Sequence, residues 1–370
     1  MATRARFHAL AVAAIDRLTE DSVALTFAVP PELAEAYAHT AGQHVAVVAP
    51  QVGDGLRRSY SICTAAGSGV LRIGVKLLPG GGFSGFVADK LELGDRLEVL
   101  TPVGHFGPAD VELEAARACG LVAAGSGITP LLSIAATVLA EQPLSTVTLI
   151  YANRTARSVM FAEEVADLKD RFTSRLRVVH VLSREPGAVE LLSGRLDRDR
   201  MGRLLDVMVP VDSVDTWYLC GPHAMLTELR DVLVQRGADD ADVHSELFHA
   251  DAPELLPRQG VRTPSGGDSS AGRGRAGPGA QVEVQLDGRR SALQVPFDGP
   301  SVLEAALAVR ADAPYSCRGG VCGTCRARLV QGTVRMDHAY ALEPGDIADG
   351  FVLTCQSHPT SDRVVLDFDV

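Results

Sequence analysis

The first 110 residues contain short stretches in which apolar and polar residues alternate, separated by Gly, Pro and Asp. The clearest stretches are "DSVALTFAVP", "GQHVAVVAP", "VLRIGVKLL" and "DRLEVLTPVG". Alternation with a period of two is typical of strands that bury one face. Residues 1–110 are therefore predicted to form an antiparallel β-barrel domain.

Between residues 111 and 249 the pattern changes to short apolar runs that alternate with helical segments. The runs "GLVAAG", "TVTLIYAN", "LRVVHVLS" and "TWYLCG" are typical of buried strands, and "PLLSIAATVLA" and "FAEEVADLKDRF" between them of helices. Strands that alternate with helices predict βαβ units. This part is predicted to be an α/β domain with a parallel sheet.

Residues 250–280 are rich in Gly, Pro, Ser and Arg and have neither a strand period nor a helix period. Such a composition is typical of a flexible linker, which would reach about 30 Å as a random coil. Residues 281–370 are then predicted to be a separate small domain that could move between two docking sites. The whole chain is expected to be a multidomain protein.

Charge and composition exclude several classes of protein. The net charge is −11, and no basic patch is present that could neutralise phosphates, which argues against a nucleic-acid binder. No apolar run approaches the roughly 20 residues that span a bilayer, and "FHALAVAAI" near the N-terminus fits a first strand better than a secretion signal. The odd number of cysteines, seven, fits a reducing compartment. The protein is expected to be cytoplasmic.

Four cysteines near the C-terminus carry the strongest chemical pattern. Cys317, Cys322 and Cys325 have the spacing C-x4-C-x2-C, and Cys355 follows after 29 further residues. This is the spacing of a plant-type [2Fe–2S] ligand set. A structural zinc site, which more often pairs two C-x2-C units, and unused thiols are the alternatives. Three glycines in the same stretch would let the backbone wrap closely and point N–H groups toward the sulfurs: Gly319, Gly320 and Gly323.

A glycine turn between a strand and a helix is a candidate site for a dinucleotide. In "GLVAAGSGITPLLSIAATVLA" the turn contains Gly125 and Gly127. Thr129 is predicted to cap the following helix and Pro130 to occupy its first position. The exposed N–H groups and the helix dipole would bind a pyrophosphate. The third glycine of G-x-G-x-x-G is missing, so this turn alone does not establish a nucleotide site.

Two further stretches point to cofactor binding. In "TWYLCGPHAML" Cys220 and Gly221 lie at the carboxyl end of a predicted parallel strand, where open α/β sheets bind ligands. In "RRSYSICTA" Arg58 and Tyr60 would face one side of a strand and Ser61 the other, offering a cation for a phosphate and a ring for stacking. A buried core cysteine and an ordinary strand surface are the alternatives.

The motifs "RSYS", "GGFS", "GSGITP", "CGP" and "ELF" occur in one order along the chain. In this the sequence resembles ferredoxin–NADP reductase-type flavoproteins, fused here to a C-terminal plant-type ferredoxin domain of the β-grasp (α+β) class. The stretches "TFAVPPELAEAYAHTAGQH", "PVGHFGP", "LIYANRTARSVMF" and "ALEPGDIADGFVLTCQSHPTSDRVVLDFD" are most similar to reductase subunits of phenylacetyl-CoA 1,2-epoxidase complexes. Departures are Ala41, where many relatives have proline, and the long linker.

The resemblance implies roles for the barrel residues. Arg58, Tyr60 and Ser61 would hold FAD, with Tyr60 against the isoalloxazine ring and Ser61 near its N5. Gly82 and Ser84 of "GGFS" would contact the FAD pyrophosphate.

On the same basis Ser61 and Cys220 are the expected catalytic residues, and Phe248 of "SELF" would lie near the flavin. The residues expected to bind the nicotinamide dinucleotide are Gly125, Gly127, Thr129, Cys220 and Gly221.

A flavin is also required by electron counting. A nicotinamide gives up two electrons at once, whereas a [2Fe–2S] cluster accepts one, so FAD would stand between them. The resemblance implies a multisubunit di-iron oxygenase as the partner. The acidic C-terminal domain, which has no lysine after residue 280, suggests that this partner offers a basic face. A Rieske-type steroid or aromatic-ring oxygenase remains an alternative partner, and a zinc-stabilised nucleotide-sensing interaction protein an alternative of another class.

The choice of nicotinamide depends on the end of the second strand of the α/β domain. This strand, "TVTLIYANRT", ends in Asn153 and Arg154, and no carboxylate follows until Glu163. An arginine at this place accommodates the 2′-phosphate of NADP, whereas a carboxylate binds the 2′-hydroxyl of NAD. NADPH is therefore predicted, with Arg184 able to share the role; solvated arginines are the alternative.

Overall fold

The computed structural model describes residues 5–52, 56–108, 116–187, 189–249, 261–264 and 279–370. The chain divides into two compact units, which we call the first unit, Arg6–His249, and the second unit, which contains Ala250–Val370. No helix in the described ranges is both long enough and apolar enough to cross a bilayer.

The N-terminal half of the first unit is a six-stranded antiparallel sheet. The strands follow the order β4-β3-β6-β1-β2-β5. A bridge between Ile62 and Ile73 joins the segment after β4 to β5, so the two edges of the sheet meet and the predicted barrel closes. The core holds fully buried aliphatic side chains such as Leu25 and Val45. The elements are β1 (Phe7–Thr19), β2 (Ser22–Ala28), β3 (His44–Val48), β4 (Arg57–Ser61), β5 (Leu71–Lys76), α1 (Gly82–Asp89) and β6 (Arg96–Leu100).

The second half of the first unit is a five-stranded parallel sheet, as the alternating pattern predicted. Its order, β11-β10-β7-β8-β9, places a topological switch point between β7 and β10, because the chain moves outward from β7 in both directions. Ligands bind at such a point outside the carboxyl ends of the strands. The elements are β7 (Ala118–Ala124), α2 (Ile128–Glu141), β8 (Thr146–Asn153), α3 (Ala162–Arg171), β9 (Leu176–Leu182), α4 (Arg198–Val207), β10 (Thr216–Pro222), α5 (His223–Gln235) and β11 (Val243–His249).

Strand β5 of the barrel packs directly against the α/β half. The guanidinium of Arg72 pairs with Asp16 of the barrel at 2.9 Å and with Glu164 of α3 at 2.8 Å. A Cβ atom at Gly74 would lie 2.8 Å from Thr129 and 2.9 Å from Phe161, so only glycine permits this approach. These contacts hold the two halves as one unit.

The second unit is built on a mixed five-stranded sheet of order β14-β13-β19-β15-β17, in which β13 and β19 run parallel. A smaller antiparallel sheet has the order β12-β16-β18. This α+β arrangement confirms the predicted fold class. The elements are β12 (Val261–Pro264), β13 (Gly279–Leu286), β14 (Arg289–Pro296), α6 (Val302–Leu307), β15 (Arg326–Gln331), β16 (Thr333–Met336), α7 (Pro344–Ala348), β17 (Phe351–Leu353), β18 (Ser357–Pro359) and β19 (Arg363–Asp367).

One strand lies inside the predicted linker. Strand β12 pairs with β16 of the second unit, Val261 opposite Met336 and Pro264 opposite Thr333. Strand pairing depends on a distant partner, so the irregular local composition did not indicate it. The rest of the predicted linker, residues 250–260 and 265–278, and the predicted boundary at residue 110 lie outside the described residues.

Candidate functional site

Strand β4 presents the three residues expected to hold FAD. Arg58 is exposed, Tyr60 is half-buried and Ser61 is buried. The ring of Tyr60 lies 5.4 Å from that of Phe83 in α1, centroid to centroid. Burial raises the pKa of Tyr60 above its usual range, so the phenol stays neutral. The strand therefore offers a cation and a neutral aromatic ring on one face.

The N-terminus of α1 lies beside β4. Helix α1 begins at Gly82, and no side chain caps its first turn. A Cβ atom at Gly82 would lie 3.1 Å from the side chain of Leu56, just before β4. The hydroxyl of Ser84 accepts a hydrogen bond from the backbone N–H of Leu78 at 3.2 Å, so this side chain shapes the turn before the helix. The uncapped N–H groups of the first turn fit a phosphate group.

The C-terminal residue of β4, Ser61, contacts strand β11. The hydroxyl of Ser61 donates to the carboxylate of Glu246 at 3.1 Å. Glu246 is directly opposite Cys220 in the parallel pairing of β11 with β10. Burial, and secondarily the charge of Glu246, raises the pKa of the Cys220 thiol well above its usual range. Glu246 lies in the "ELF" motif, but the sequence did not indicate a role for it, because its contact with Ser61 depends on strand register.

The glycine turn after β7 packs against β10. Gly125 has a left-handed φ of 54° and open space where a side chain would be. A Cβ atom at Gly127 would lie 2.2 Å from the carbonyl oxygen of Cys220 and 3.1 Å from the N–H of Gly221. The turn Gly125–Gly127 therefore lies at the switch point, and its backbone packs against the backbone of Cys220 and Gly221.

The start of α2 differs from the prediction. A short 3-10 turn, Gly125–Gly127, leads directly into a helix that begins at Ile128, so Thr129 and Pro130 are its second and third residues. The hydroxyl of Thr129 donates to the carbonyl of Ser126 at 3.1 Å and does not cap an N–H group. The prediction was wrong because Gly127 already has a right-handed helical backbone, with φ of −62° and ψ of −4°, which moves the helix start toward the N-terminus.

A buried tyrosine bonds to this turn through its hydroxyl group. Tyr151 of β8 is fully buried, and its hydroxyl contacts the carbonyl oxygens of Gly125 at 3.0 Å and of Met160 at 3.2 Å. Sequence reasoning missed Tyr151, since an apolar strand predicts only a core side chain. Its position indicates that it sets the conformation of the Gly125 turn.

Two arginines lie side by side at the carboxyl edge of the sheet. Arg154 follows β8 and Arg184 follows β9, and the N–H of Arg184 donates to the carbonyl of Arg154 at 2.8 Å. Both side chains are exposed. Within the described ranges neither guanidinium has a carboxylate partner. The remaining predicted residue of this half, Phe248, is partly buried against the core of the α/β domain.

The four cysteines of the second unit lie together. Cys317 and Cys322 are partly exposed, whereas Cys325 and Cys355 are buried. The thiols form two contacting pairs, Cys317 with Cys322 and Cys325 with Cys355. The contact with Cys322, together with burial, raises the pKa of Cys317, whereas the contact with Cys325 lowers the pKa of Cys355.

The arrangement of the four thiols is compatible with a [2Fe–2S] cluster. Such a cluster takes two cysteine ligands on each of its two irons, and the thiols lie in two contacting pairs. The N–H of Gly319 donates to the sulfur of Cys317 at 3.4 Å, as the glycine pattern predicted. Gly320 and Gly323 both have left-handed backbones, with φ of 75° and 66°.

The other three cysteines lie in the first unit. Cys63, Cys119 and Cys220 are all buried and unpaired. Burial raises the pKa of Cys63 to about 12 and that of Cys119 to about 11. These thiols stay protonated at neutral pH, which argues against a role as metal ligands.

Comparison with protein families assigns all three segments. The oxidoreductase FAD-binding domain matches residues 9–107, the oxidoreductase NAD-binding domain residues 121–231, and the 2Fe-2S iron-sulfur cluster binding domain residues 284–360. These matches follow the barrel, the parallel sheet and the cysteine-bearing unit.

Curated relatives match over almost the whole chain. The chain is 39% identical to a 1,2-phenylacetyl-CoA epoxidase subunit of Escherichia coli (strain K12) over 363 residues, which cover 98% of both chains. It is 32% identical to the ferredoxin reductase component of 3-ketosteroid-9-alpha-monooxygenase of Rhodococcus rhodochrous, over 97% of this chain and 96% of that one.

Among solved structures, phthalate dioxygenase reductase aligns over 98% of both chains with a TM-score of 0.59 and 24% identity. An intact type IV self-sufficient cytochrome P450 monooxygenase aligns over 98% of this chain and 41% of that one, with a TM-score of 0.67 and 23% identity. At this identity the likeness supports the fold.

Proposed function

The chain belongs to the family of oxygenase reductases that join FAD-binding, NAD-binding and [2Fe–2S] domains, and we propose that it carries electrons from NADPH to the di-iron oxygenase of a phenylacetyl-CoA epoxidase complex. It is an NAD(P)H-dependent flavin and iron–sulfur reductase. FAD supplies the conversion from two-electron to one-electron transfer, which neither a nicotinamide nor a [2Fe–2S] cluster performs alone.

The observation that carries the proposal is the convergence of four short motifs, "RSYS", "GSGITP", "CGP" and "ELF", at the switch point. Ser61 bonds to Glu246, Glu246 is paired with Cys220, and Gly127 packs on the backbone of Cys220. The FAD-binding half and the NAD-binding half thus meet where a dinucleotide-binding sheet holds its ligand.

In this proposal the barrel residues orient FAD. Arg58 neutralises a phosphate, Tyr60 packs on the isoalloxazine ring, and the uncapped N–H groups of α1 at Gly82 bind the pyrophosphate. Ser84 holds the preceding turn through its bond to Leu78.

The α/β residues orient the nicotinamide dinucleotide. Backbone N–H groups at Gly125 and Gly127, followed by the N-terminus of α2 around Thr129, bind its pyrophosphate. Cys220 and Gly221 line the nicotinamide end. Cys220 carries a small neutral thiol and lies opposite Glu246 in the sheet.

Ser61 and Glu246 would contribute at the reacting atoms. Ser61, whose hydroxyl donates to Glu246, would lie near the flavin N5, and Phe248 would also lie near the flavin. These side chains exclude water and position the donor and acceptor. Cys317, Cys322, Cys325 and Cys355 would hold the cluster that receives the electrons.

Identity to the relatives favours the epoxidase partner over a steroid oxygenase, at 39% against 32%. Reconstitution tests this. The isolated chain is expected to oxidise NADPH with artificial acceptors and to leave phenylacetyl-CoA unchanged. Addition of epoxidase oxygenase subunits should yield the ring epoxide. Turnover with the oxygenase component of a 3-ketosteroid monooxygenase and none with the epoxidase subunits would overturn the proposed partner.

Arg154 supports the choice of NADPH, because its exposed guanidinium lies at the end of β8 with Arg184 beside it. Loss of one charge-assisted contact is worth about 1.5 to 3 kcal/mol. Arg154→Ala is therefore expected to lower the ratio of kcat/KM for NADPH to that for NADH by at least about tenfold. The control is Arg171→Ala, which removes the same charge at the far end of α3. A wild-type preference for NADH would contradict the assignment.

A further inference from the structure

The four cluster cysteines come from two distant segments. Three lie in the loop from Cys317 to Cys325, and the fourth, Cys355, follows β17. A cluster would link these segments only once it is bound. Something in the protein must hold them in register beforehand, or binding must bear the full cost of ordering the site.

Two side chains beside Cys355 bond to the loop. The hydroxyl of Thr354 donates to the Cys325 carbonyl at the end of the loop, at 3.0 Å, and the amide of Gln356 reaches the start of the loop. The amide nitrogen Nε2 of Gln356 donates to the carbonyl oxygen of Arg318 at 2.8 Å and to that of Cys355 at 3.1 Å. It also lies 3.6 Å from the Cys355 sulfur. Gln356 is only 9% exposed, so these contacts are shielded from water.

The loop is shaped to receive this side chain. A Cβ atom at Gly320 would lie 3.1 Å from Cγ of Gln356, and the left-handed φ of Gly320 suits only glycine. Arg318 also has a left-handed backbone, with φ of 55°, which is strained for a residue with a side chain. The bond from Gln356 to the Arg318 carbonyl offsets this strain at the residue that follows the first ligand.

We propose that Gln356 is a positioning residue for the iron–sulfur cluster, which holds the Cys317–Cys325 loop on Cys355 and donates an N–H group to the Cys355 sulfur. This inference rests on the proposed [2Fe–2S] reductase function. Hydrogen bonds to the ligating sulfurs stabilise the more negative, reduced state and so raise the reduction potential. Gln356 thereby affects both the retention of the cluster and its potential.

Three purified full-length variants test the proposal. Gln356→Leu removes the amide and keeps an apolar stem of similar length, and Gln356→Glu keeps the shape but replaces the donor with an anionic acceptor. The control is Gln285→Leu, which removes a Gln side chain of the same unit whose Nε2 donates to Asp367 at 3.3 Å on the main sheet. Iron and acid-labile sulfide content, the electron paramagnetic resonance spectrum and the cluster midpoint potential are measured without any partner protein.

The Leu variant should lose its cluster roughly tenfold faster than wild type, the change expected when one hydrogen bond to a charged group is removed. Its midpoint potential should be more negative, and that of the Glu variant more negative still. Cluster loss that prevents a potential measurement in the Leu variant, with full retention in Gln285→Leu, also supports the proposal.

Wild-type retention and potential in Gln356→Leu would overturn the inference. Equal shifts in the Leu and Glu variants would overturn it as well, because packing alone would then account for both. A wild-type protein without iron and sulfide would instead overturn the proposed function itself, so the two failures are distinguishable.

Discussion

Three side chains at the switch point differ in their chemistry. Cys220 is completely buried and its pKa is raised, so it remains a neutral thiol and is a poor nucleophile. Ser61 and Glu246 are the polar groups at this point, and they are bonded to each other. Any proton or hydrogen-bond contribution to hydride transfer is therefore expected from Ser61 and Glu246.

Removing either member of this pair should slow reduction of the flavin by NADPH. Ser61→Ala and Glu246→Gln each weaken one hydrogen bond to a charged group, about 1.5 to 3 kcal/mol, which corresponds to roughly tenfold or more in rate. Stopped-flow measurement of flavin absorbance at saturating NADPH gives the rate, with the FAD content measured in parallel.

The control for this pair is Ser145→Ala. Ser145 is also buried in the first unit, but its hydroxyl donates to Gln142, away from the switch point. Unchanged rates in both Ser61→Ala and Glu246→Gln would show that the pair does not act in the transfer.

Tyr151 offers a second test at the scale of single residues. Tyr151→Phe removes the hydroxyl that holds the Gly125 carbonyl, so the pyrophosphate turn loses preorganisation. The KM for NADPH is expected to rise by about fivefold, for a neutral hydrogen bond of about 1 kcal/mol, with a smaller change in kcat. Steady-state rates with an artificial acceptor measure both constants.

Tyr37→Phe is the matched control. Tyr37 is buried in the barrel, and its hydroxyl donates to the Val99 carbonyl at 2.6 Å. This change should lower the free energy of unfolding by about 1 kcal/mol and leave the KM for NADPH unaltered. An equal rise of KM in both variants would assign the effect of Tyr151 to general loss of stability.

At the scale of secondary-structure elements, the first unit depends on close backbone contacts between neighbours. Strand β5 approaches α2 and α3 at Gly74, and the 3-10 turn before α2 approaches β10 at Gly127. Near Gly74, the side chain of Arg72 is only 18% exposed. It pairs with Asp16 of the barrel and with Glu164 of α3. The relative position of FAD and nucleotide halves is thus set by backbone packing and a shielded ion pair.

Substitution of Gly127 tests the second contact. In Gly127→Ala the new methyl group would lie 2.2 Å from the Cys220 carbonyl oxygen, so the turn or the strand must shift. We expect a loss of roughly 2 kcal/mol or more in unfolding free energy and weaker nucleotide binding. Thermal unfolding and titration with NADP⁺ report the two effects.

Gly85→Ala provides the opposite expectation. Gly85 lies within α1, and nothing stands within 4 Å of its Cβ position, so alanine should stabilise the helix by up to about 1 kcal/mol. Wild-type stability and nucleotide affinity in Gly127→Ala would contradict the close approach.

At the scale of the whole molecule, the chemistry is divided between two compact units. The motifs for FAD and nucleotide belong to the first unit and the four clustered cysteines to the second. Electron transfer to FAD should therefore survive damage to the cluster, whereas electron delivery to a partner should not.

Cys322→Ser tests this division. The variant is expected to lose the electron paramagnetic resonance signal of the cluster and at least about tenfold of its cluster-dependent electron delivery, while NADPH still reduces the flavin at the wild-type rate. The control, Cys119→Ser, changes a buried cysteine of the first unit and should keep both signals. A full signal in Cys322→Ser, or zinc in place of iron, would refute the assignment of the ligands.

The sequence by itself determined the domain architecture and indicated which cofactors the chain has residues to bind. Apolar periods of two predicted the barrel, and apolar strands alternating with helices predicted the parallel sheet, because these periods express the local geometry of strand and helix. The spacing of the four cysteines indicated the cluster, since three of its ligands lie within nine residues of one another. Local signals of this kind are short enough to be contained in one stretch of chain.

Only the tertiary structure decided which residues meet. The Ser61–Glu246 bond joins positions 185 residues apart, and the Gln356–Arg318 bond joins positions 38 apart. From the sequence Tyr151 was an ordinary core residue, whereas in the structure its hydroxyl bonds to the Gly125 carbonyl. Helix α2 begins one residue before Thr129, its predicted cap. These features depend on strand register and on close approach of backbones. Both are consequences of packing over the whole unit, so no local pattern of residues encodes them.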